Sequence, residues 1–68
     1  SLEESIKFLS RLRLGIALGR IREVDRALVD RLLLEVQPSH LARTAGIPLV
    51  AGHDDRAARA EMVRAALR

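Results

Sequence analysis

Apolar residues recur every three or four positions through the first quarter of the chain, which is the period of an α-helix. Ser1 and Glu4 have the spacing of a capping box, so we expect this helix to begin at once. Gly19 suits a helix-ending position, because glycine adopts a left-handed backbone without a steric penalty. The pattern predicts a deeply packed helix over about residues 2–18. Its broad apolar stripe consists of Leu2, Ile6, Phe8, Leu9, Leu12, Leu14, Ile16 and Leu18.

A second helical pattern starts after Asp25, whose carboxylate can cap a helix. Its inward positions form two neighbouring rows, and its solvent side is marked by charged residues. Pro38 ends this helix and can open the next one, which Gly46 is placed to stop. The pattern therefore predicts helices over about residues 26–36 and 38–45. The inward rows are Leu28, Leu32 and Val36, and Val29 and Leu33; the solvent side is Asp30, Arg31 and Glu35.

The remaining segment contains an apolar stretch and a last helix. Residues 47–50 are apolar but include a proline, which favours an extended segment under the helices over a lone strand. Asp54 can cap a helix over about residues 55–67, with Ala60, Val63 and Leu67 on a thin inner face. The chain as a whole predicts an all-α fold, a small bundle of about four helices forming a single domain over residues 1–68.

The size of the chain limits its core. A domain of 68 residues buries only about 60% of the surface that its unfolded chain exposes. Small folds usually rely on disulfides, a metal or a partner subunit, but the chain has no cysteine and only two histidines. We expect no cofactor and no metal, and we expect a homodimer. Because there is no signal-peptide pattern and no long apolar run, we expect a cytoplasmic protein without a membrane segment.

Charge alone does not indicate nucleic-acid binding. The net charge of +3 arises from twelve Lys and Arg set against nine carboxylates spread along the chain. The only aromatic residue is Phe8, so stacking platforms for bases are missing and a nucleic-acid partner is not favoured. An alternative function is a helix-turn-helix around Gln37-Pro38-Ser39, in which Ser39, His40, Arg43 and Thr44 would contact DNA. A generic helical adaptor for other proteins also stays open.

Catalytic patterns are not found in the sequence. It contains no cysteine nucleophile, no glycine-rich phosphate loop and no metal-binding spacing. Ser39 and His40 are adjacent, and adjacent residues of a helix do not face each other, which argues against a catalytic triad. His40 is expected to pack against or cap the third helix, and His53 to lie in a solvated loop. The chain is therefore not expected to be an enzyme, and we assign it no catalytic residues.

Several segments resemble those of bacterial protein-arginine kinases. Residues 8–19, FLSRLRLGIALG, are similar to the family's LLSxxRLGIxLG, and residues 32–38, LLLEVQP, to its LLxxTQP. Residues 39–41, SHL, are similar to the xxL that follows, and residues 59–64, RAEMVR, to RAxxIR in the last helix. The resemblance covers nearly the whole chain in the same order. It implies the C-terminal helical domain that follows a phosphagen-kinase-like catalytic domain and mediates dimerisation, so a kinase catalytic domain would be its partner in a parent protein.

The resemblance also implies a ligand site. In the family, an R-D-x-x-R-A motif forms an allosteric pocket for phosphoarginine, and the matching residues here are Asp55-Arg56-Ala57-Ala58-Arg59-Ala60. The first two positions are interchanged. Because neighbouring helical residues point about 100° apart, Asp55 and Arg56 cannot simply stand in for each other. The residues that match the charged positions of the motif, Asp55, Arg56 and Arg59, are the candidate phosphoarginine-binding residues. The partner would be phosphoarginine or a protein that carries it. Arginine side chains can bind the phosphoryl group of this ligand, and a carboxylate can bind its guanidinium. The alternative is a solvated first helical turn capped by Asp54.

Overall fold

The computed structural model describes residues 1–48 and 55–68, which form four α-helices and no strand. The helices are α1 (Leu2–Ala17), α2 (Arg26–Glu35), α3 (Pro38–Ala45) and α4 (Arg56–Ala66). The predicted all-α bundle is confirmed, and its helix boundaries differ from the observed ones by no more than one residue. The sequence predicts an extended segment through Leu49 and Val50, a loop position for His53 and a capping role for Asp54. These four residues lie outside the described ranges. No described helix is long and apolar enough to cross a membrane.

Side-chain caps fix where three of the helices begin. The Glu4 backbone N–H donates to Ser1 Oγ at 3.2 Å, and the Leu28 N–H donates to Asp25 Oδ1 at 3.0 Å. The Ala57 N–H donates to Asp55 Oδ1 at 2.8 Å, so Asp55 caps α4. The prediction that helix 4 includes Asp55 is therefore wrong by one residue. The helix begins at Arg56, and the carboxylate immediately before it reaches the free backbone N–H of the first turn.

Two glycines end helices α1 and α3 as predicted. Gly19 has φ +73° and Gly46 has φ +72°, and both lie in the left-handed region. After each glycine the next N–H turns back to a carbonyl five residues earlier: Arg20 to Gly15 at 2.8 Å and Ile47 to Ala42 at 3.0 Å. These bonds satisfy carbonyls that a helix end would otherwise leave unpaired. The glycines thus allow the chain to reverse direction between helices.

Four helices contribute to one apolar core, and α4 contributes most to it. Val63 and Leu67 are buried as predicted, and Ala60 packs partly against them. Met62 is also buried, at 1% exposure, so α4 buries a larger apolar face than its alanine content indicated. Helix α4 packs against α2 and α3, while α1 packs mainly against α3. The buried apolar residues are Leu9, Val29, Leu32, Val36, Leu41, Ala42, Met62, Val63, Ala66 and Leu67.

The predicted deep packing of α1 is wrong. Only Ser5 and Leu9 of this helix are buried, whereas Leu14 and Leu18 are 58% and 57% exposed. The reason is the width of the apolar stripe: Leu9, Leu12 and Ile16 lie on the side that packs against the core, whereas Leu14 and Leu18 lie on the opposite side. The outward side of α1 therefore leaves apolar side chains in water.

One side-chain hydrogen bond joins α1 to α3. Ser5 Oγ lies 2.7 Å from His40 Nδ1, and Ser5 is 7% exposed. His40 is therefore a packing residue whose ring also contacts a distant helix. Ser5 is the one polar residue in the described ranges that is buried among the core residues. Such a bond sets the register between two helices, because a displaced buried hydroxyl loses its partner.

Gly46→Ala is expected to lower the free energy of unfolding by about 1 kcal/mol, because alanine is strained at φ +72°. No atom lies within 4 Å of the added Cβ, so steric contact with other residues does not contribute. Chemical denaturation of both proteins measures the difference. Gly46→Asn serves as the control and should lose less, since asparagine tolerates the left-handed region. Equal losses for both variants would contradict this explanation.

Ser5→Ala is expected to destabilise the fold by about 1 kcal/mol, because it removes the hydrogen bond to His40 inside the protein. Ser10→Ala is the matched control on the same helix, since Ser10 Oγ accepts only an exposed bond from Arg13 Nη2. The control should change stability by less than about 0.5 kcal/mol. Thermal or urea unfolding followed by circular dichroism distinguishes the two, and equal effects would rule out a special role for Ser5.

Candidate functional site

The three candidate residues lie at the start of α4. Asp55 is the N-cap, and Arg56 and Arg59 follow at positions that share one face of the helix. The Arg56 side chain is 53% exposed. Arg59 is half-buried, its Nε atom is enclosed, and the residue interacts within the fold. A ligand at this end of α4 would therefore meet one exposed guanidinium and one that is partly buried in the fold.

Arg56 makes an ion pair with α2. Its Nη2 atom lies 2.5 Å from Asp30 Oδ1, although the two residues are 26 positions apart in the chain. Asp30 Oδ2 lies 3.9 Å from Arg26 Nε, one turn earlier on α2. The carboxylate of Asp30 thus lies between two guanidinium groups from two helices. The sequence pattern identified Asp30 only as a solvent-facing residue, and nothing in its spacing pointed to this contact.

The exposure of these groups determines what the ion pair contributes. The Arg56 and Asp30 side chains are 53% and 45% exposed, so solvent screens their attraction. Pairs of this kind contribute about 0 to 1 kcal/mol to stability. The pair does little to hold the fold together, and a competing ligand could open it at small cost. The packing of α4 against α2, rather than the ion pair, brings a carboxylate of α2 to the first turn of α4.

The local charge favours an anion that also carries a cationic group. Among the residues that the structure describes here, the three guanidinium groups of Arg26, Arg56 and Arg59 face the two carboxylates of Asp30 and Asp55, which gives these five side chains a net charge of +1. The first turn of α4 adds the partial positive charge of a helix N-terminus. Arginine forks can bind a phosphoryl group, and a carboxylate can bind a guanidinium. The chemistry required for phosphoarginine is therefore present around α2 and α4.

The predicted carboxylate, Asp55, already has a backbone partner. Its Oδ1 atom accepts the Ala57 N–H as part of the cap. Arg56, which stands where the resembled motif has aspartate, is directed to α2 by its contact with Asp30. The interchange of the two residues therefore places a cation on the α2 side of the helix and the acid at the cap. The acid that faces Arg56 is supplied by a different helix.

Helix α3 offers less to DNA than the helix-turn-helix alternative requires. His40 is hydrogen-bonded to Ser5, and Thr44 Oγ1 is buried. Two of the four residues proposed to contact DNA are thus directed into the fold. The remaining two, Ser39 and Arg43, are exposed. This arrangement does not favour recognition of a groove by α3.

A groove of about 340 Å³ runs between the first half of α1 and the end of α2. Its lining includes charges of both signs, from Glu4, Lys7, Arg11 and Glu35. The mixture selects for no single class of ligand. Within residues 1–48 and 55–68, no cluster of three or more histidine or acidic side chains is arranged to hold a metal.

Comparison with known proteins connects the chain to one family. The family model described as the protein-arginine kinase McsB C-terminal domain matches residues 1–68. A protein-arginine kinase of Symbiobacterium thermophilum is 40% identical over 67 residues, and those of Halothermothrix orenii and Syntrophomonas wolfei are 34% identical over 67 and 64 residues. These alignments cover 98%, 98% and 94% of this chain. No solved structure matches the chain significantly.

The chain spans about one fifth of the length of these relatives, 19%, 19% and 18% respectively. The matching domain is by description the C-terminal one. The order of motifs, the four helices and the whole-chain match agree with one another. The chain therefore belongs to the family of protein-arginine kinase C-terminal domains.

Proposed function

We propose that this chain is a non-catalytic regulatory domain that forms homodimers and binds phosphoarginine at the start of α4. The observation that carries the proposal is its membership of a domain family from protein-arginine kinases. In a longer protein, the domain would act beside a kinase catalytic domain and respond to the product of that domain. Asp55, Arg56 and Arg59 are the proposed ligand-binding residues.

The charged cluster at α4 supports the ligand. The relatives are named as kinases of protein arginine, and transfer of a phosphoryl group to arginine produces a guanidine that carries an anion. A protein that binds this group needs a guanidinium donor and a carboxylate within a few ångströms of each other. Arg56 and Asp30 meet this requirement with a 2.5 Å contact, and both are accessible to solvent.

The exposed apolar side of α1 supports the homodimer. Leu14 and Leu18 lie one turn apart on the same face and are more than half exposed. A small core gives little stability of its own, so covering these leucines with a second copy would add apolar burial at about 25 cal/mol per Å². Because α1 of each copy could cover the other, the contact would be of the symmetric kind that is common in homodimers.

Arg56→Gln is expected to weaken phosphoarginine binding about tenfold or more, because the variant loses a charge-assisted contact with the phosphoryl group. Isothermal titration with free phosphoarginine measures the effect, and an equimolar mixture of arginine and phosphate is the ligand control. Arg64→Gln is the matched protein control: Arg64 is also on α4, is 44% exposed and pairs with Glu61. A wild-type chain that does not bind phosphoarginine, or equal losses in both variants, would refute the proposal.

The double variant Leu14→Glu and Leu18→Glu is expected to shift the chain from dimer to monomer, because four charges would meet in the proposed interface. Sedimentation equilibrium over a range of concentrations measures the change. Leu34→Glu is the control, since Leu34 is 88% exposed but lies on α2. It should leave the dimer intact. A wild-type chain that remains monomeric at high concentration would disprove the dimer.

A further inference from the structure

We propose that Asp30 of α2 determines which phosphorylated ligands the α4 site accepts. In the free protein Asp30 binds Arg56, and in the complex it releases Arg56 to the phosphoryl group and binds the guanidinium of phosphoarginine. This inference rests on the proposed function, and it identifies a residue outside the motif of α4. Asp30 would act as a specificity-determining residue that contacts the ligand directly.

The position of the carboxylate leads to this assignment. Asp30 Oδ1 lies 2.5 Å from Arg56 Nη2, and Asp30 Oδ2 lies 3.9 Å from Arg26 Nε. Both oxygens therefore face guanidinium groups, as the oxygens of a bound phosphoryl group would. An anion that binds Nη2 of Arg56 takes the place of Asp30, and it then lies beside the carboxylate that it has displaced.

Asp55 is less suited to the same task. Its Oδ1 atom accepts the Ala57 N–H and caps α4, so a contact with a ligand guanidinium would compete with the cap. The carboxylate of Asp30 does not cap α2, so it is not held by the backbone of that helix. It lies in the middle of that helix, is 45% exposed, and within the described part of the chain pairs with two arginine side chains. The acid needed for a guanidinium is therefore available from α2.

The displaced carboxylate discriminates between ligands. Inorganic phosphate would occupy Arg56 and leave Asp30 next to a second negative charge, which disfavours the complex. Phosphoarginine brings a guanidinium together with its phosphoryl group, so Asp30 exchanges one guanidinium partner for another. Asp30 thus weakens the binding of phosphate and strengthens the binding of phosphoarginine. Specificity arises from the difference between the two effects.

The test compares dissociation constants for phosphoarginine and inorganic phosphate, measured by titration calorimetry on the full chain. We define the preference as the ratio of the phosphate constant to the phosphoarginine constant. Asp30→Asn should lower this ratio about fivefold or more, because the repulsion and the guanidinium contact disappear together. Asp30→Gln is a second variant without the carboxylate and should behave alike. Circular dichroism verifies that each variant is folded.

Two controls separate a ligand contact from a general effect of charge. Glu35→Gln removes a carboxylate of α2 that is also 45% exposed and paired with an arginine, so its ratio should change less than about twofold. Asp30→Glu keeps the carboxylate and should retain the preference. An unchanged ratio in Asp30→Asn and Asp30→Gln, with wild-type binding intact, would overturn the role of Asp30 alone. No phosphoarginine binding by the wild type would overturn both this role and the proposed function.

Discussion

Packing of α4 onto α2 and α3 is the interaction on which the rest of the molecule depends. Helix α4 supplies Met62, Val63, Ala66 and Leu67 to a core that also takes residues from the other three helices. The same contact places Arg56 beside Asp30. The charged cluster is therefore a consequence of apolar packing, since the ion pair is too exposed to hold the helices together by itself. Stability and the candidate site share one interface.

Helix α1 is held differently. It is the longest helix, yet it is anchored mainly through Leu9 in the core and the Ser5–His40 hydrogen bond to α3. In its second half, Leu12 and Ile16 pack against the core, whereas Leu14 and Leu18 on the opposite side are uncovered. A helix on the outside of so small a fold buries one face, and the apolar stripe of α1 is wider than that face. The uncovered leucines and the charged cluster consist of different residues, so the proposed homodimer contact and the proposed ligand site need not compete.

Helix boundaries could be predicted from the sequence because they are set locally. Pro38, Gly19 and Gly46 act through their own backbone geometry, and Asp25 acts on an N–H three residues away. The burial of α1 could not be predicted, because its broad apolar stripe does not reveal which side of the helix faces the core. Met62 was missed for a related reason: the inward face of α4 depends on the angle at which it meets α2 and α3. Local rules give the elements, and tertiary packing decides which faces they bury.

The candidate site shows the same division between local and distant information. Asp55, Arg56 and Arg59 were found by a motif within six residues, whereas Asp30 is 26 residues from its partner. A linear motif contains no information about a helix that packs against it. The interchange of Asp55 and Arg56 looks like the loss of a binding acid when the motif is considered alone. With α2 in place, an acid still faces a cation at the first turn of α4, and the relevant unit is the pair of helices rather than the six-residue motif.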